Sequence, residues 1–131
     1  MEQLNFSKIV NVLKIAYPYY FKDMNDNNSV MFNQLYYSKL KKYDYKIVSN
    51  VIDNIITKSN YMPTLAEIIG ECEKKQKELY TLKLNYLYKN GYFKTDEEYG
   101  KASMWLLSDT PVIPEWFKKE LDKIEDIKLL N

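Results

Sequence analysis

Phe6, Ile9, Val10, Leu13, Ala16 and Tyr17 recur at intervals of three and four, the stripe of an amphipathic helix with one buried face. Pro18 ends that helix, and the Asp/Asn-rich stretch from Asp23 to Asn28 reads as a loop, because these side chains compete for backbone hydrogen bonds. A second helix is expected to start at Asn28 or Ser29, either of which can cap it, and to bury Phe32, Leu35, Tyr36 and Leu40. Lys41 and Lys42 suit its C-terminal dipole. Asp44 then caps a third helix whose Val48, Val51, Ile52, Ile55 and Ile56 form the most apolar stripe of the chain. That helix is expected at the centre of the core.

The sharpest start signal is Pro63-Thr64-Leu65-Ala66-Glu67, a capping box with Thr64 as N-cap and Glu67 three residues on. The helix it opens is long. Leu65, Cys72, Leu79 and Tyr86 recur every seven residues, with Ile68 and Leu82 between them, but Lys75 interrupts the seam and the stretch from Glu71 to Glu78 is strongly polar. The expectation is a helix whose first turns bury against a core, whose middle faces solvent, and which bends near Gly70. Asn90-Gly91 is its stop. Thr95 to Glu98 repeats the capping box and opens a short fifth helix burying Tyr99, Ala102, Ser103 and Leu106. Two prolines, Pro111 and Pro114, break the chain, and Pro114 suits the first position of a last helix carrying Phe117, Leu121 and Ile124.

No segment alternates with the period of a strand. The pattern predicts an all-α protein: a compact bundle of about five to six helices, orthogonal or up-down, with a longer fourth helix. Residues 1–70 form an N-terminal helical domain in this reading, and residues 71–131 a helical extension that is the candidate partner-binding region.

Composition narrows the chemistry. The 131 residues include no histidine, and no arginine occurs anywhere in the chain. Without histidine the usual neutral-pH general base and the commonest zinc ligand are both missing. Without arginine there is no bidentate fork for guanine or phosphate, and no arginine finger for nucleotide hydrolysis. Three glycines are too few for a phosphate-cradling loop. Cys72 is the single cysteine, so it has no intramolecular disulfide partner, and its place on an apolar stripe suits a small core residue. The acidic pairs Glu71/Glu73 and Glu97/Glu98 stand two positions apart or fewer, so on a helix they do not converge as an acid/base or metal pair must. No catalytic residue, cofactor or metal is expected, and the chain is read as a non-enzymatic binding protein.

The net charge of +1 gives no field that would draw the chain to nucleic acid or to an anionic membrane. Residues 1–62 carry eight lysines against five acids, and the remainder eleven against thirteen, with no basic arm or acidic tail. The thirteen tyrosines leave one opening. Tyr17, Tyr19, Tyr20, Tyr36 and Tyr37 beside lysines are able to stack the bases of a single strand, or else to bury their rings and hydrate their hydroxyls. Neither a membrane-spanning run nor a signal sequence is evident, so the expected location is the cytoplasm, in a bacterial host. Trp105, Trp116 and Phe117, near proline-rich turns, are candidate interface anchors or else the local core of the last helices. The apolar-striped tail adds Leu121, Leu129 and Leu130 as candidate contacts for a partner.

The order of these features resembles a known family. Ala16-Tyr17-Pro18, a loop, Phe32-Asn33-Gln34-Leu35-Tyr36 leading to Leu40, then Tyr43-Asp44-Tyr45, an apolar helix, and Tyr61-Met62-Pro63-Thr64-Leu65-Ala66-Glu67-Ile68 are similar to the N-terminal domain of phage replicative helicase loader/inhibitor proteins. The similarity covers about residues 5–73, and Pro114-Glu115-Trp116 resembles a pattern late in such proteins. It implies a helical N-terminal domain followed by a segment that contacts the hexameric replicative helicase. It further implies an adaptor that restrains the helicase's ATPase and delivers the ring to an origin-bound initiator; direct binding of nucleic acid is not expected from the charge balance. In prototype members the contacting region is flexible, whereas residues 95–127 here carry the capping and stripe signals of ordered helices. Two other functions share the same chemistry: a single-stranded DNA-binding replication protein, and a phage inhibitor of a host replication or defence protein.

Overall fold

The computed structural model describes residues 1–108 and 112–124. Among them lie seven helices and no strand: α1 (Gln3–Ala16), α2 (Pro18–Phe21), α3 (Asp26–Leu40), α4 (Tyr45–Lys58), α5 (Leu65–Lys89), α6 (Asp96–Leu107) and α7 (Glu115–Asp122). The all-α class is as the periodicity predicts, with one helix more than the five to six expected. The addition is α2. Pro18 does end α1, since Tyr17 leaves helical geometry at φ −128° and ψ 62° while its N–H still bonds to the Leu13 carbonyl. Pro18 also has the φ that a first helical turn needs, and a four-residue helix restarts at once.

The chain forms two compact units, Met1–Lys75 and Gln76–Asn131, with α5 supplying residues to both. In the first unit α1 lies against α4 and α2. Phe6, Ile9, Val10, Leu13 and Tyr17 of the expected stripe are buried and Ala16 partly so, and Val48, Val51 and Ile52 of the β-branched α4 are buried as well. The Tyr17 hydroxyl donates to the Ser59 carbonyl at 2.9 Å, which ties the α1–α2 corner to the end of α4. Ile68 and Cys72 of α5 are fully buried in this unit.

Caps hold the helix starts. Asp44 accepts from the Lys46 N–H at 2.8 Å, and Thr64 accepts from the Glu67 N–H at 3.1 Å, both as the sequence predicts. For α3 the expected start at Asn28 or Ser29 is corrected. The carboxamide of Asn25 accepts from the Asn28 N–H at 2.8 Å, so the helix begins at Asp26 and takes the second half of the expected loop. Asp26 in that first turn suits the positive end of the helix dipole. The same helix buries Phe32, Tyr36 and Leu40 but leaves Leu35 51% exposed, against expectation. Phe32 stacks on Tyr36 at 3.9 Å and meets Phe21 edge-on at 5.3 Å, so aromatic contacts with α2 fix which side of α3 turns inward.

The second unit has its own core of Leu84, Leu87, Ala102, Leu106, Phe117 and Leu121, bordered by Tyr80, Tyr92, Phe93, Tyr99, Trp105, Ile113 and Ile124. The end of α5 is built as Asn90-Gly91 predicts. Gly91 adopts φ +72°, its N–H bonds to the Tyr88 carbonyl, and the Tyr92 N–H reaches back to the Leu87 carbonyl at 3.0 Å. That is the paired closure of a Schellman motif, which satisfies two of the last carbonyls. Thr95 then accepts from the Glu98 N–H at 3.2 Å, and the Glu98 carboxylate accepts from the Lys94 N–H at 3.0 Å. The box therefore closes one residue further out than the simple pattern. Pro114 stands at the N-cap of α7 rather than inside its first turn.

Along the second half of α5 the seven-residue seam holds only at Leu79. Leu82 and Tyr86 are exposed, whereas Leu79, Lys83, Leu84 and Leu87 are buried. Spacings of four, one and three follow the period of an ordinary helix, and not the heptad of a coiled coil.

Candidate functional site

Helices α6 and α7 bring the two tryptophans together. The indoles of Trp105 and Trp116 meet edge to face, with centroids 5.8 Å apart and planes at 88°. Both rest on Phe117, at 5.6 Å from Trp105 and 5.7 Å from Trp116. Phe117 itself lies 6.4 Å from Phe93 and 6.3 Å from Tyr92, so the tryptophans cap an aromatic stack that reaches into the core of the second unit. Thr95 and Glu98 position α6, and the Pro114 cap positions α7. Consecutive residues Trp116 and Phe117 stand about 100° apart around α7, which sends one outward and the other inward.

The candidate contact residues separate accordingly. Trp116 is 58% exposed, and Trp105 is half-buried at its flank. Phe117 at 1% and Leu121 at 2% exposure belong to the core, where no partner reaches them without unfolding the unit. Phe117 packs against both indoles. Leu129 and Leu130 lie outside the described residues. Sequence reasoning did not single out Met104 and Val112, exposed apolar side chains at 64% and 81% in the same unit. Their signal was present: both fall outside the inward stripes of their segments.

Charges around Trp116 are mixed. Glu115, Lys118 and Lys119 are exposed on α7, and Lys123 bonds to Glu120 at 2.9 Å, a pairing that holds the Lys123 ammonium above its ordinary value. On α6, Lys101 and Glu97 pair at 3.7 Å. The arrangement is an exposed aromatic side chain with mixed charges around it.

Reactive groups elsewhere are quiet. Cys72 is fully buried, and burial, with Glu71 and Glu73 as lesser causes, pushes its thiol up to about 12. At neutral pH it is neither a nucleophile nor a metal ligand. No group of three or more His, Cys, Asp or Glu able to hold a metal occurs among the described residues. Of the tyrosines with base-stacking potential, Tyr17 and Tyr36 are buried and Tyr37 donates its hydroxyl to the Met1 carbonyl at 2.9 Å. Burial, helped by Tyr20, pushes Tyr36 up to about 12. Tyr19 is 87% exposed, and Tyr20 sits against Phe21 and Phe32. Among the described residues no helix is long and apolar enough to cross a membrane.

Comparison with known proteins places the first unit. No curated protein and no solved structure matches the chain. Residues 1–69 match the family model of the phage helicase loader/inhibitor N-terminal domain. The caps at Asp44 and Thr64, the Tyr17-Pro18 corner and the apolar α4 all fall inside the matched region, which spans more than half of the chain. The protein therefore belongs to the family of phage helicase loader/inhibitor proteins, and is a helicase-associated protein.

Proposed function

We propose that the protein is a phage replication adaptor that binds the hexameric replicative helicase, restrains its ATPase and delivers it to an origin carrying an initiator protein. The observation that carries this reading is the family match over residues 1–69. The second unit supplies a fitting contact surface, centred on Trp116 with the flank of Trp105 and supported from beneath by Phe117 and Leu121. Leu129 and Leu130 remain part of the proposal as further contacts.

Binding, not chemistry, is the means of action. A chain without imidazole or guanidinium influences an ATPase by favouring one of its conformations, and the size of that effect is limited to the difference in affinity for the two states. A small aromatic anchor suits an adaptor that must hold a ring and then release it.

The test is to mix the purified chain with a phage hexameric replicative helicase and to follow elution mass and ATP hydrolysis. Co-elution with a lowered hydrolysis rate is expected. Separate elution with unchanged hydrolysis overturns the reading.

A further inference from the structure

The first unit carries a groove whose lining is distant in sequence from the tryptophans. A groove of about 450 Å³ runs between α1 and α3, lined by Gln3, Phe6, Ser7, Val10, Asn11 and Lys14 on one side and Asn33, Gln34 and Tyr37 on the other. Phe6 and Tyr37 touch edge-on at 5.3 Å within it, and the Tyr37 ring is fixed by its hydroxyl bond to Met1. Four carboxamides line the groove, and no hydrogen bond or ion pair among the described residues engages the side chains of Gln3, Asn11, Lys14, Asn33 or Gln34.

A carboxamide offers a donor and an acceptor together, the same pair that each peptide unit presents. Facing rows of carboxamides therefore match an extended peptide main chain irrespective of its side chains. They match a phosphate backbone poorly, because phosphate only accepts and the groove holds a single cation to neutralise it. That cation is Lys14, and no carboxylate lines the groove beside it. From Gln3 to Lys14 the helix rises about 16 Å, the reach of roughly five residues of extended chain.

We propose that the α1–α3 groove binds an extended acidic peptide segment, its main chain held by Gln3, Asn11, Asn33 and Gln34 and one Asp or Glu side chain held by Lys14. The site stands independently of the helicase reading, since it uses no residue of the second unit.

The test is selection of a displayed random heptapeptide library on the full chain, followed by NMR titration of a selected peptide while the side-chain amide signals of the four carboxamides are observed. Enriched sequences are expected to share one acidic position with little preference elsewhere, and the amide signals are expected to move. Lys14→Gln is expected to weaken binding about tenfold, the loss of one charge-assisted contact, with an unchanged melting temperature. Asn33→Leu, also on the exposed surface, is expected to do the same. The proposal falls if no sequence is enriched, if selected peptides leave those signals in place, or if they bind Lys14→Gln as tightly as the native chain. It falls equally if an oligothymidylate of about twelve nucleotides moves the same signals, which makes the groove a single-strand site. Movement of those signals on dilution without ligand assigns the groove to self-association and also overturns it.

Discussion

The ammonium of Lys83 donates a hydrogen bond to the main-chain carbonyl of Leu121 at 3.2 Å, although the lysine is only 5% exposed. Leu121 sits in the last turn of α7, where the helix dipole favours a cation, and its carbonyl also accepts from the Ile124 N–H at 3.1 Å. A charge on α5 thus closes the end of a helix 38 residues away in sequence.

Replacing Lys83 by Met keeps the aliphatic stem and removes that bond. Lys83→Met is expected to destabilise the second unit by about 1.5–3 kcal/mol, the range for a hydrogen bond to a charged group. Urea unfolding followed by tryptophan fluorescence reads this unit selectively, because both tryptophans are in it. A variant as stable as the parent shows that Lys83 is held there for another reason.

Neighbouring aromatic residues on α7 should behave in opposite ways. Trp116→Ala removes a side chain that is largely exposed, so stability changes by less than about 1 kcal/mol while helicase co-elution is lost. Phe117→Ala opens a cavity under both indoles and is expected to cost about 3–5 kcal/mol, abolishing binding through unfolding. Full helicase binding by a folded Trp116→Ala variant removes Trp116 from the contact surface.

Two glycines give a matched pair with opposite signs. At Gly91 the positive φ makes a side chain strained, and Gly91→Ala is expected to lower stability by about 1 kcal/mol. Gly70 lies inside α5, where an added Cβ meets nothing within 4 Å, so Gly70→Ala is expected to raise stability by about 0.5–1 kcal/mol. Thermal melting of both variants settles the signs.

Alkaline pH should weaken the first unit. Burial raises Cys72 from 9.0 to about 12, and burial together with Glu73, whose carboxylate accepts from the tyrosine hydroxyl at 3.5 Å, raises Tyr43 from 10.0 to about 12. Between the unfolded and folded values the native state holds protons that the unfolded state has lost, so stability is full below about pH 9 and falls as pH rises towards 12. Cys72→Ala is expected to move the onset of that decline towards the tyrosine range. The native thiol is expected to react with a disulfide reagent at pH 8 only as fast as the unit opens. Reaction at the rate of a free cysteine contradicts the burial.

How much of this was legible in the sequence follows the range of the interactions. Asp44, Thr64 and Thr95 were identified as caps because a cap joins atoms two or three residues apart, and Gly91 was identified as a stop because positive φ is a property of one residue. The stripes of α1 and α4 were equally clear, since each has one strongly apolar face. On α3 and the second half of α5 the apolar residues surround the helix more evenly. There the direction of Leu35, Leu82 and Tyr86 depends on which neighbour docks, so the inward assignments failed. Nothing local announced that Lys83 would be buried, because the carbonyl that satisfies it belongs to α7. The short helix α2 was missed because Pro18 breaks and starts helices with the same fixed φ.

The candidate surfaces divide in the same way. Sequence alone determined that the chain is helical, that it lacks the side chains for acid/base chemistry near neutral pH, and that its first half resembles a helicase-associated family. Those are matters of residue identity and near-neighbour spacing. Only the tertiary structure decided that Trp116 faces solvent while Phe117 and Leu121 do not, and that Asn11 and Asn33 face one groove. Burial is a property of the partners a side chain meets, and those partners lie tens of residues away along the chain.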